Sequence, residues 1–275
     1  MGDPKSFTYR KVEGWGNSIQ GFPLPGMVTS MALDKDDLLY ALVRTPRDQP
    51  AVHIFETSGK HVGQWGEGIF TETHGIRVTD KGAVWITDRE DHTVREFTKD
   101  GKLVRTLGTI GKTGAPGQPF NMPTNTAVSR AGDLFVSDGY GQTRVHRFSK
   151  DGKLIESWGE KGSGDGQLLL PHGIWVDERD RVLVADRYNA RVTVFDIHGK
   201  YLEAWPVKNA NDIWIRDGLV YVTEGPLTIW SMDGKLLHRW VEYGTHSVCV
   251  DKKGAVYLNQ GHGKEDAILQ KYDRV

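Results

Sequence analysis

The sequence predicts an all-β protein: a six-bladed β-propeller of four-stranded antiparallel blades, with the last blade closed by the N-terminal strand. Three observations predict this fold. Six similar segments repeat along the 275 residues, and each consists of short alternating apolar runs broken by Gly and Asp turns. The beginning of the chain matches the one strand that the last segment lacks. We therefore expect residues 1–275 to form a single domain.

The repeated segments share one internal order of short runs. Their first residues lie 35 to 50 positions apart, at Val28, His74, Thr124, His172, Asn211 and His246. A first run ends in a turn, a second run such as VWITD or LFVSD follows, then a third such as TVREF or RVHRF, and a DGK or HGK turn leads to a fourth. Period-two alternation rich in β-branched and aromatic residues is typical of antiparallel strands. Four strands in each segment predict one propeller blade per segment.

The two ends of the chain predict how the ring closes. The last segment stops after its third run, and residues 7–16 (FTYRKVEGWG) resemble the fourth runs KHVGQWG and KLIESWG. We expect the strand at 7–16 to complete the C-terminal blade, because this pairing leaves neither end with an open sheet edge. An open β-solenoid or a pair of sandwiches is the alternative architecture.

Composition argues against several classes of function. Lys and Arg (35) balance Asp and Glu (36), and no basic stripe or polybasic tract indicates a nucleic acid or a membrane surface as partner. No apolar run approaches the roughly 20 residues that span a bilayer. The single cysteine, Cys249, cannot form a disulfide within the chain, which favours a reducing compartment. We expect a cytoplasmic monomer acting on a small-molecule or peptide-derived substrate, unless a signal peptide has been removed.

Histidine recurs at the start of alternate segments. The six equivalent positions are taken to be Val28, His74, Thr124, His172, Asn211 and His246. Alternate blades of a closed six-bladed ring lie about 120° apart, so the three imidazoles would converge on one point of the central channel. Three histidine ligands that leave one coordination position open are typical of catalytic zinc, whereas calcium prefers oxygen ligands. The alternative is that these histidines are channel-lining residues hydrogen-bonded to water and backbone.

Charged and aromatic residues follow the second run of four segments, where the chain reaches the channel rim. They are Arg44, Arg89, Tyr140 and Arg187. An arginine fork suits a carboxylate, and a tyrosine beside a metal and an arginine can have a lowered pKa and act as a base. Gly139 allows the backbone to turn sharply and present the Tyr140 ring. For Arg89 we favour a structural ion pair between blades, and for Arg44 and Arg187 the structural and functional interpretations both stay open.

The segments PTNTAV, LFVSDGYGQTRVHRF, LPHGIWV and VLVADRYNARV resemble the peptidyl-α-hydroxyglycine α-amidating lyase domain, a six-bladed propeller of NHL-type repeats. The similarity runs from Val28 to the C-terminus. The resemblance implies zinc ligands at His74, His172 and His246, a catalytic tyrosine at Tyr140, and active-site arginines at Arg44 and Arg187. It also implies a carbon–nitrogen lyase that cleaves the N–C bond of a carbinolamide and releases an amide and glyoxylate or a related carbonyl compound.

The chain also departs from this family. Gly141 stands where the family has a cysteine, and Asn125 stands where it has an aspartate. Ser247 replaces the acidic residue that follows the third histidine, which argues against the family's structural calcium. Two other functions stay open: a zinc-dependent hydrolase or eliminase with the same ligands, and a non-catalytic NHL interaction platform.

Overall fold

The computed structural model describes residues 7–15, 24, 26–223, 225–240, 245–260 and 268–275. Its strands in chain order are β1 Tyr9–Lys11, β2 Met27–Leu33, β3 Leu39–Arg44, β4 Val52–Phe55, β5 His61–Trp65, β6 Thr73–Val78, β7 Val84–Asp88, β8 Thr93–Phe97, β9 Leu103–Gly108, β10 Asn125–Val128, β11 Leu134–Asp138, β12 Arg144–Phe148, β13 Leu154–Trp158, β14 Pro171–Val176, β15 Val182–Asp186, β16 Arg191–Phe195, β17 Tyr201–Pro206, β18 Ile213–Arg216, β19 Leu219–Thr223, β20 Leu227–Ser231, β21 Leu236–Arg239, β22 Thr245–Val250, β23 Val256–Gln260 and β24 Ile268–Arg274. A short 3-10 helix, Arg187–Asn189, follows β15. Within these ranges, no helix has the length and apolar character needed to cross a bilayer.

The described strands form six four-stranded antiparallel sheets, which we number as blades in chain order. Blade 1 is β2–β5, blade 2 is β6–β9, blade 3 is β10–β13, blade 4 is β14–β17, blade 5 is β18–β21, and blade 6 is β22, β23, β24 and β1. The first strand of each blade contacts the first strand of the next, so these six strands surround the central channel. The predicted six-bladed propeller is confirmed.

The ring closes through the N-terminal strand, as predicted. In blade 6, β1 pairs antiparallel with β24, from Tyr9 opposite Arg274 to Lys11 opposite Tyr272. Two backbone hydrogen bonds extend the pairing, from Val12 N to Lys271 O (2.9 Å) and from Val275 N to Thr8 O (3.0 Å). The strand is shorter than the predicted 7–16, and Gly16 lies outside the described residues. The closed ring excludes the solenoid and sandwich alternatives.

The apolar core lies between neighbouring blades. All five residues of β7, β11 and β15 are buried, because a second strand presents one face to each adjoining blade. The outer strands are partly exposed, and β9 leaves Leu103 and Val104 about half accessible, at 50% and 53%. This arrangement explains why the second runs are almost continuously apolar while the fourth runs alternate with polar residues.

A β-bulge interrupts the first strand of each histidine-bearing blade. The register shifts between Thr73 and Ile76 in β6, between Pro171 and Ile174 in β14, and between Thr245 and Val248 in β22. The two residues inside each shift are His and the residue after it. A bulge redirects side chains relative to the regular pleat. These bulges therefore place the histidines at the end of the channel where the first strands begin, which we call the top of the channel.

Candidate active site

Three histidines from alternate blades meet at the channel axis. His74, His172 and His246 begin the innermost strands of blades 2, 4 and 6. Their ring centroids are 4.8, 4.9 and 5.5 Å apart, and the rings are nearly perpendicular to one another. One nitrogen from each ring lies within 4.8 Å of the other two, in a group that could hold a metal ion. The structure thus brings together the convergent trio that the repeat predicts.

The outer nitrogen of each ring is fixed by a backbone carbonyl. The acceptors are Thr124 O for His74 Nδ1 (2.7 Å), Asn211 O for His172 Nδ1 (2.7 Å) and Thr29 O for His246 Nδ1 (2.8 Å). A carbonyl only accepts, so each Nδ1 carries the proton and each Nε2 keeps its lone pair. This is the arrangement by which metal-binding histidines are oriented and held in one tautomer.

These acceptors correct one position of the predicted column. In blade 1, Val28 pairs with Val43 and the register then shifts before Ser30, so Thr29 occupies the position equivalent to the histidines. The hydrogen bond from His246 to the Thr29 carbonyl repeats the bond that the other two histidines make. The predicted column was therefore wrong by one residue in blade 1, where Thr29 and not Val28 is the equivalent position. Alternation in the sequence does not reveal a one-residue bulge.

Burial keeps His74 and His172 neutral. His74 and His172 are almost fully buried, and desolvation is the main cause that lowers the pKa of each imidazole well below its ordinary value. Repulsion from His246 lowers both pKa values further, as does a rim arginine in each case. Neutral imidazole is the form that binds a metal ion, so the protein needs little proton release to offer its ligands at neutral pH.

The donor set fits zinc. Three neutral nitrogen ligands with one side left open correspond to catalytic zinc sites, in which the Zn–N distance is about 2.0–2.1 Å. Tetrahedral geometry at that distance requires nitrogens about 3.3 Å apart. Because the observed spacing reaches 4.8 Å, the rings would draw closer by roughly an ångström around a bound ion.

The channel below the histidines does not fit calcium. Asp212 is buried there, and its carboxylate accepts hydrogen bonds from Ser247 Oγ (2.8 Å) and Asn125 Nδ2 (3.3 Å). The fully buried Arg77 guanidinium lies 4.0 Å from the Trp175 ring centroid and attracts the Asp212 carboxylate. Asp212 therefore already has donors and a counter-cation. We call Arg77, Asp212, Trp175 and Trp214 the arginine layer.

Tyr140 reaches the histidines from blade 3. Its hydroxyl lies 3.1 Å from His74 Nε2 and 3.1 Å from His172 Nε2. Its ring meets both imidazoles edge to face, at centroid distances of 5.1 and 5.8 Å. The hydroxyl has one proton, so it can donate to only one of the two lone pairs at a time. Tyr140 is therefore in hydrogen-bond reach of the position that an ion or a substrate hydroxyl would take.

The glycines on both sides of Tyr140 are required for close approach. A Cβ at Gly139 would collide with the carbonyl oxygen of Pro171, and one at Gly141 would collide with the Asn121 side chain. Neither glycine has a positive φ. The chain bends at Tyr140, directly after Gly139, and glycine is needed at 139 because the neighbouring loop leaves no space for a side chain.

The pKa of the Tyr140 phenol is raised in the protein. Burial is the largest cause, and it outweighs the arginines at the rim, which lower the pKa. Those arginines are Arg187, Arg89 and Arg44, in decreasing order of effect. The expected lowering of the Tyr140 pKa therefore requires more positive charge than the chain itself supplies.

Two of the rim arginines share one carboxylate. Glu72 Oε1 lies 2.9 Å from Arg44 Nη1 and 3.0 Å from Arg89 Nη2. Arg89 also lies over the Tyr140 ring, with its guanidinium carbon 5.1 Å from the centroid. Arg89 thus makes an ion pair, but with a glutamate rather than the aspartate of its turn, and it belongs to the site as well. We call Arg44, Glu72 and Arg89 the rim bridge.

Arg187 has a different environment. It begins the 3-10 helix after β15, and no salt bridge to it occurs among the described residues. The preceding Asp186 pairs instead with Arg191, at 3.0 Å. Arg187 still influences Tyr140 and His172 electrostatically. It is the one rim arginine of the described residues whose charge is available to a ligand.

Sequence reasoning missed two members of this region. Glu72 precedes β6 in an irregular segment, and no repeat pattern distinguishes it. Tyr188 follows Arg187, is 65% exposed, and lies near enough to Tyr140 to affect its pKa. The one available signal was position: both residues adjoin a predicted site residue, Glu72 two positions before His74 and Tyr188 one after Arg187.

Comparison with known proteins agrees with the fold. The family model for a six-bladed β-propeller matches residues 124–238, and that for an NHL repeat matches residues 70–97. A gluconolactonase structure from Xanthomonas campestris superposes with a TM-score of 0.69 at 14% identity, covering 90% of this chain and 87% of that one. At that identity the likeness concerns the fold alone.

Curated relatives fall into two groups. Human and mouse NHL repeat-containing protein 3 are each 31% identical to this chain over 83% and 86% of its length. The chain spans 65% of the human protein and 67% of the mouse protein. Peptidyl-alpha-hydroxyglycine alpha-amidating lyase 1 of Drosophila melanogaster is 35% identical over 54% of this chain and 30% of its own length.

Proposed function

This chain belongs to the NHL-repeat family of six-bladed β-propellers that includes NHL repeat-containing protein 3, and from that premise we propose that it is a zinc-dependent lyase. The substrate would be a carbinolamide of the α-hydroxyglycine type, and the products an amide and glyoxylate or a related carbonyl compound. The observation that carries the proposal is the placement of the Tyr140 hydroxyl 3.1 Å from two of three convergent histidine nitrogens. The similarity to amidating lyases supports the same reaction.

The three histidines would hold the ion through their Nε2 lone pairs. Zinc held there would supply positive charge that lowers the pKa of a nearby substrate hydroxyl and of Tyr140. The backbone carbonyls of the intervening blades hold the imidazole orientation and tautomer, so the rings need only draw together to bind the ion.

Arg187 and Tyr140 then have separate tasks. Arg187 has no carboxylate partner among the described residues, so it is the better of the two predicted arginines for binding a substrate carboxylate. Tyr140, as phenolate, would accept the proton of the carbinol hydroxyl. The electron pair of that O–H bond forms the carbonyl, the C–N bond breaks, and the amide nitrogen takes the proton back from Tyr140. The cycle consumes no net proton.

Arg44 keeps one of its two predicted tasks. Because Glu72 already holds Arg44, its charge acts on Tyr140 rather than on a substrate carboxylate. The predicted catalytic role of Arg44 is thus retained as electrostatic support for the phenolate, and its predicted role in substrate binding passes to Arg187.

The test combines metal analysis with an activity assay. Protein purified without chelators should contain close to one zinc per chain, and it should release glyoxylate from an N-acyl-α-hydroxyglycine. His172→Ala should abolish stoichiometric metal, and Tyr140→Phe should abolish most activity while retaining the metal. Glyoxylate release that survives both substitutions would rule out this assignment.

Substrate profiling separates the lyase from its alternatives. A zinc-dependent hydrolase would cleave N-acylglycines that lack the hydroxyl, whereas the lyase needs the hydroxyl on the carbon that bears nitrogen. A non-catalytic interaction platform would bind no stoichiometric metal and turn over neither compound. We include this last alternative because the chain is also similar to NHL repeat-containing protein 3.

A further inference from the structure

The rim bridge joins two blades directly above the reactive tyrosine. Arg44 comes from the end of β3 in blade 1, whereas Glu72 and Arg89 flank β6 and β7 of blade 2. A single oxygen of Glu72 receives both guanidinium groups, at 2.9 and 3.0 Å. All three side chains are only partly accessible, at 30%, 18% and 24% for Arg44, Glu72 and Arg89. The bridge is therefore more sheltered than an ordinary surface ion pair.

The bridge fixes Arg89 against the Tyr140 ring, whose other described ring contacts are with His74 and His172. The two imidazoles contact the Tyr140 ring edge to face, and its hydroxyl meets their Nε2 atoms. Arg89 packs over the ring at 5.1 Å, within the range of a cation–π contact. Removal of Arg89 would take this contact away from the face of the ring. Without Glu72, Arg89 and Arg44 would repel each other.

We propose that Glu72 and Arg89 are positioning residues: Glu72 holds Arg89 over the Tyr140 ring, and Arg89 keeps the Tyr140 hydroxyl between His74 and His172. The effect of this arrangement on catalysis rests on the proposed function, whereas the placement of the Tyr140 ring by Arg89 does not. The proposal assigns to Arg89 a role that acts through Tyr140 and requires no contact with the substrate.

The geometric test uses fluorine NMR on the whole protein. The nine tyrosines are replaced by 3-fluorotyrosine, and the resonance that disappears in Tyr140→Phe is assigned to Tyr140. Arg89→Ala and Glu72→Gln should each move or broaden that resonance, with the larger change in Arg89→Ala. The control is Arg105→Ala, because Arg105 also has an ion pair, with Glu96, and lies 5.7 Å from a ring, that of Trp85. Arg105→Ala should leave the Tyr140 resonance in place.

The catalytic test is a double-substitution cycle in kcat/KM. A cation–π contact of the usual strength predicts that Arg89→Ala lowers kcat/KM roughly 3- to 30-fold, mainly through kcat. In the Tyr140→Phe background, the same substitution should change kcat/KM less than about two-fold, because Arg89 acts through the hydroxyl that is no longer there. Arg89→Lys should recover part of the loss by restoring the cation.

Two results would overturn the proposal. One is a Tyr140 fluorine resonance that is identical in wild type, Arg89→Ala and Glu72→Gln. The other is an equal loss of activity from Arg89→Ala with and without the Tyr140 hydroxyl, which would make Arg89 a substrate-binding or purely structural residue. If the wild-type protein releases no glyoxylate, the proposed function fails, and the NMR experiment still decides the positioning role.

Discussion

Two layers of the channel use its inner strands in opposite ways. In the upper layer, His74, His172 and His246 keep one lone pair each facing a common centre. In the arginine layer, a few residues further along the same strands, Arg77 stacks on Trp175 and attracts the buried Asp212. In the upper layer the described contacts of the Nε2 atoms are with the Tyr140 hydroxyl, whereas in the arginine layer the buried Arg77 and Asp212 attract each other. The comparison teaches that a propeller channel can carry a binding site at one end because its other end is filled and stabilised by its own side chains.

The largest expected effect tests the chemical role of the upper layer. Tyr140→Phe removes the one hydroxyl that contacts two of the histidine nitrogens, so kcat should fall by about 10²- to 10⁴-fold, as is usual for loss of a general base. Thermal unfolding should stay within a few degrees of wild type because the ring remains. Glyoxylate release and a thermal melt measure the two quantities. An unchanged kcat would show that the Tyr140 hydroxyl has no chemical role in the upper layer.

The next effect tests the stabilising role of the arginine layer. Arg77→Met removes a buried cation that attracts the Asp212 carboxylate and donates to the Thr126 and Ile174 carbonyls. The free energy of unfolding should fall by about 2–6 kcal/mol, because each of two buried acceptors left unsatisfied costs about 1–3 kcal/mol. Urea unfolding gives the free energy. Adding Asp212→Asn should recover part of the loss, because it removes the uncompensated charge. Zinc content of the folded Arg77→Met protein should equal that of wild type; loss of zinc would show that the layers are not independent.

A smaller effect separates the two predicted substrate arginines. Arg187→Ala should raise KM for a carboxylate substrate by roughly 10- to 100-fold, the loss expected for one charge-assisted hydrogen bond of about 1.5–3 kcal/mol. Arg44→Ala should affect kcat more than KM, because Glu72 already engages Arg44. Steady-state kinetics on both variants decide which arginine binds the substrate carboxylate. A larger KM effect at Arg44 would reverse the assignment.

The smallest effect concerns a buried histidine outside the channel. Burial lowers the pKa of His53 to about 4, and its Nε2 donates to Pro50 O at 3.1 Å. The unfolded chain therefore binds more protons at this residue between about pH 4 and 6.5, and stability falls as pH is lowered through that window. From pH 6.5 to 5.5, wild type should lose about 1 kcal/mol more than His53→Gln. Urea unfolding at the two pH values checks this, and equal losses would show that His53 is accessible to protons.

The repeat pattern was sufficient to predict most of the fold and part of the candidate site. Alternating runs and matching ends were enough to predict the blades and the closure by β1, because each blade must bury both faces of its inner strands against its neighbours. The histidine positions could be read from the same repeat. The error at Val28 arose because a bulge shifts the register by one residue while leaving the apolar pattern almost unchanged.

The rim shows where sequence patterns stop being informative. Arg44, Arg89 and Arg187 occupy similar positions in their repeats, yet Glu72 engages the first two and no carboxylate of the described residues engages the third. The raised pKa of Tyr140 was likewise not foreseen, because it depends on how deeply the ring is buried. Charge pairing and burial are both properties of residues that are far apart in the chain.

The sequence by itself determined the six-bladed ring, the strand that closes it and the alternate spacing of three histidines. Each of these follows from the local periodicity of the strands and from the number of repeats, and both can be read from the sequence. Only the tertiary structure decided which nitrogen of each histidine carries the proton, which rim arginines pair with Glu72, and how the Asp212 carboxylate below the histidines is satisfied. The physical reason is that desolvation and hydrogen bonding depend on distances between blades, and those distances are set when the ring packs.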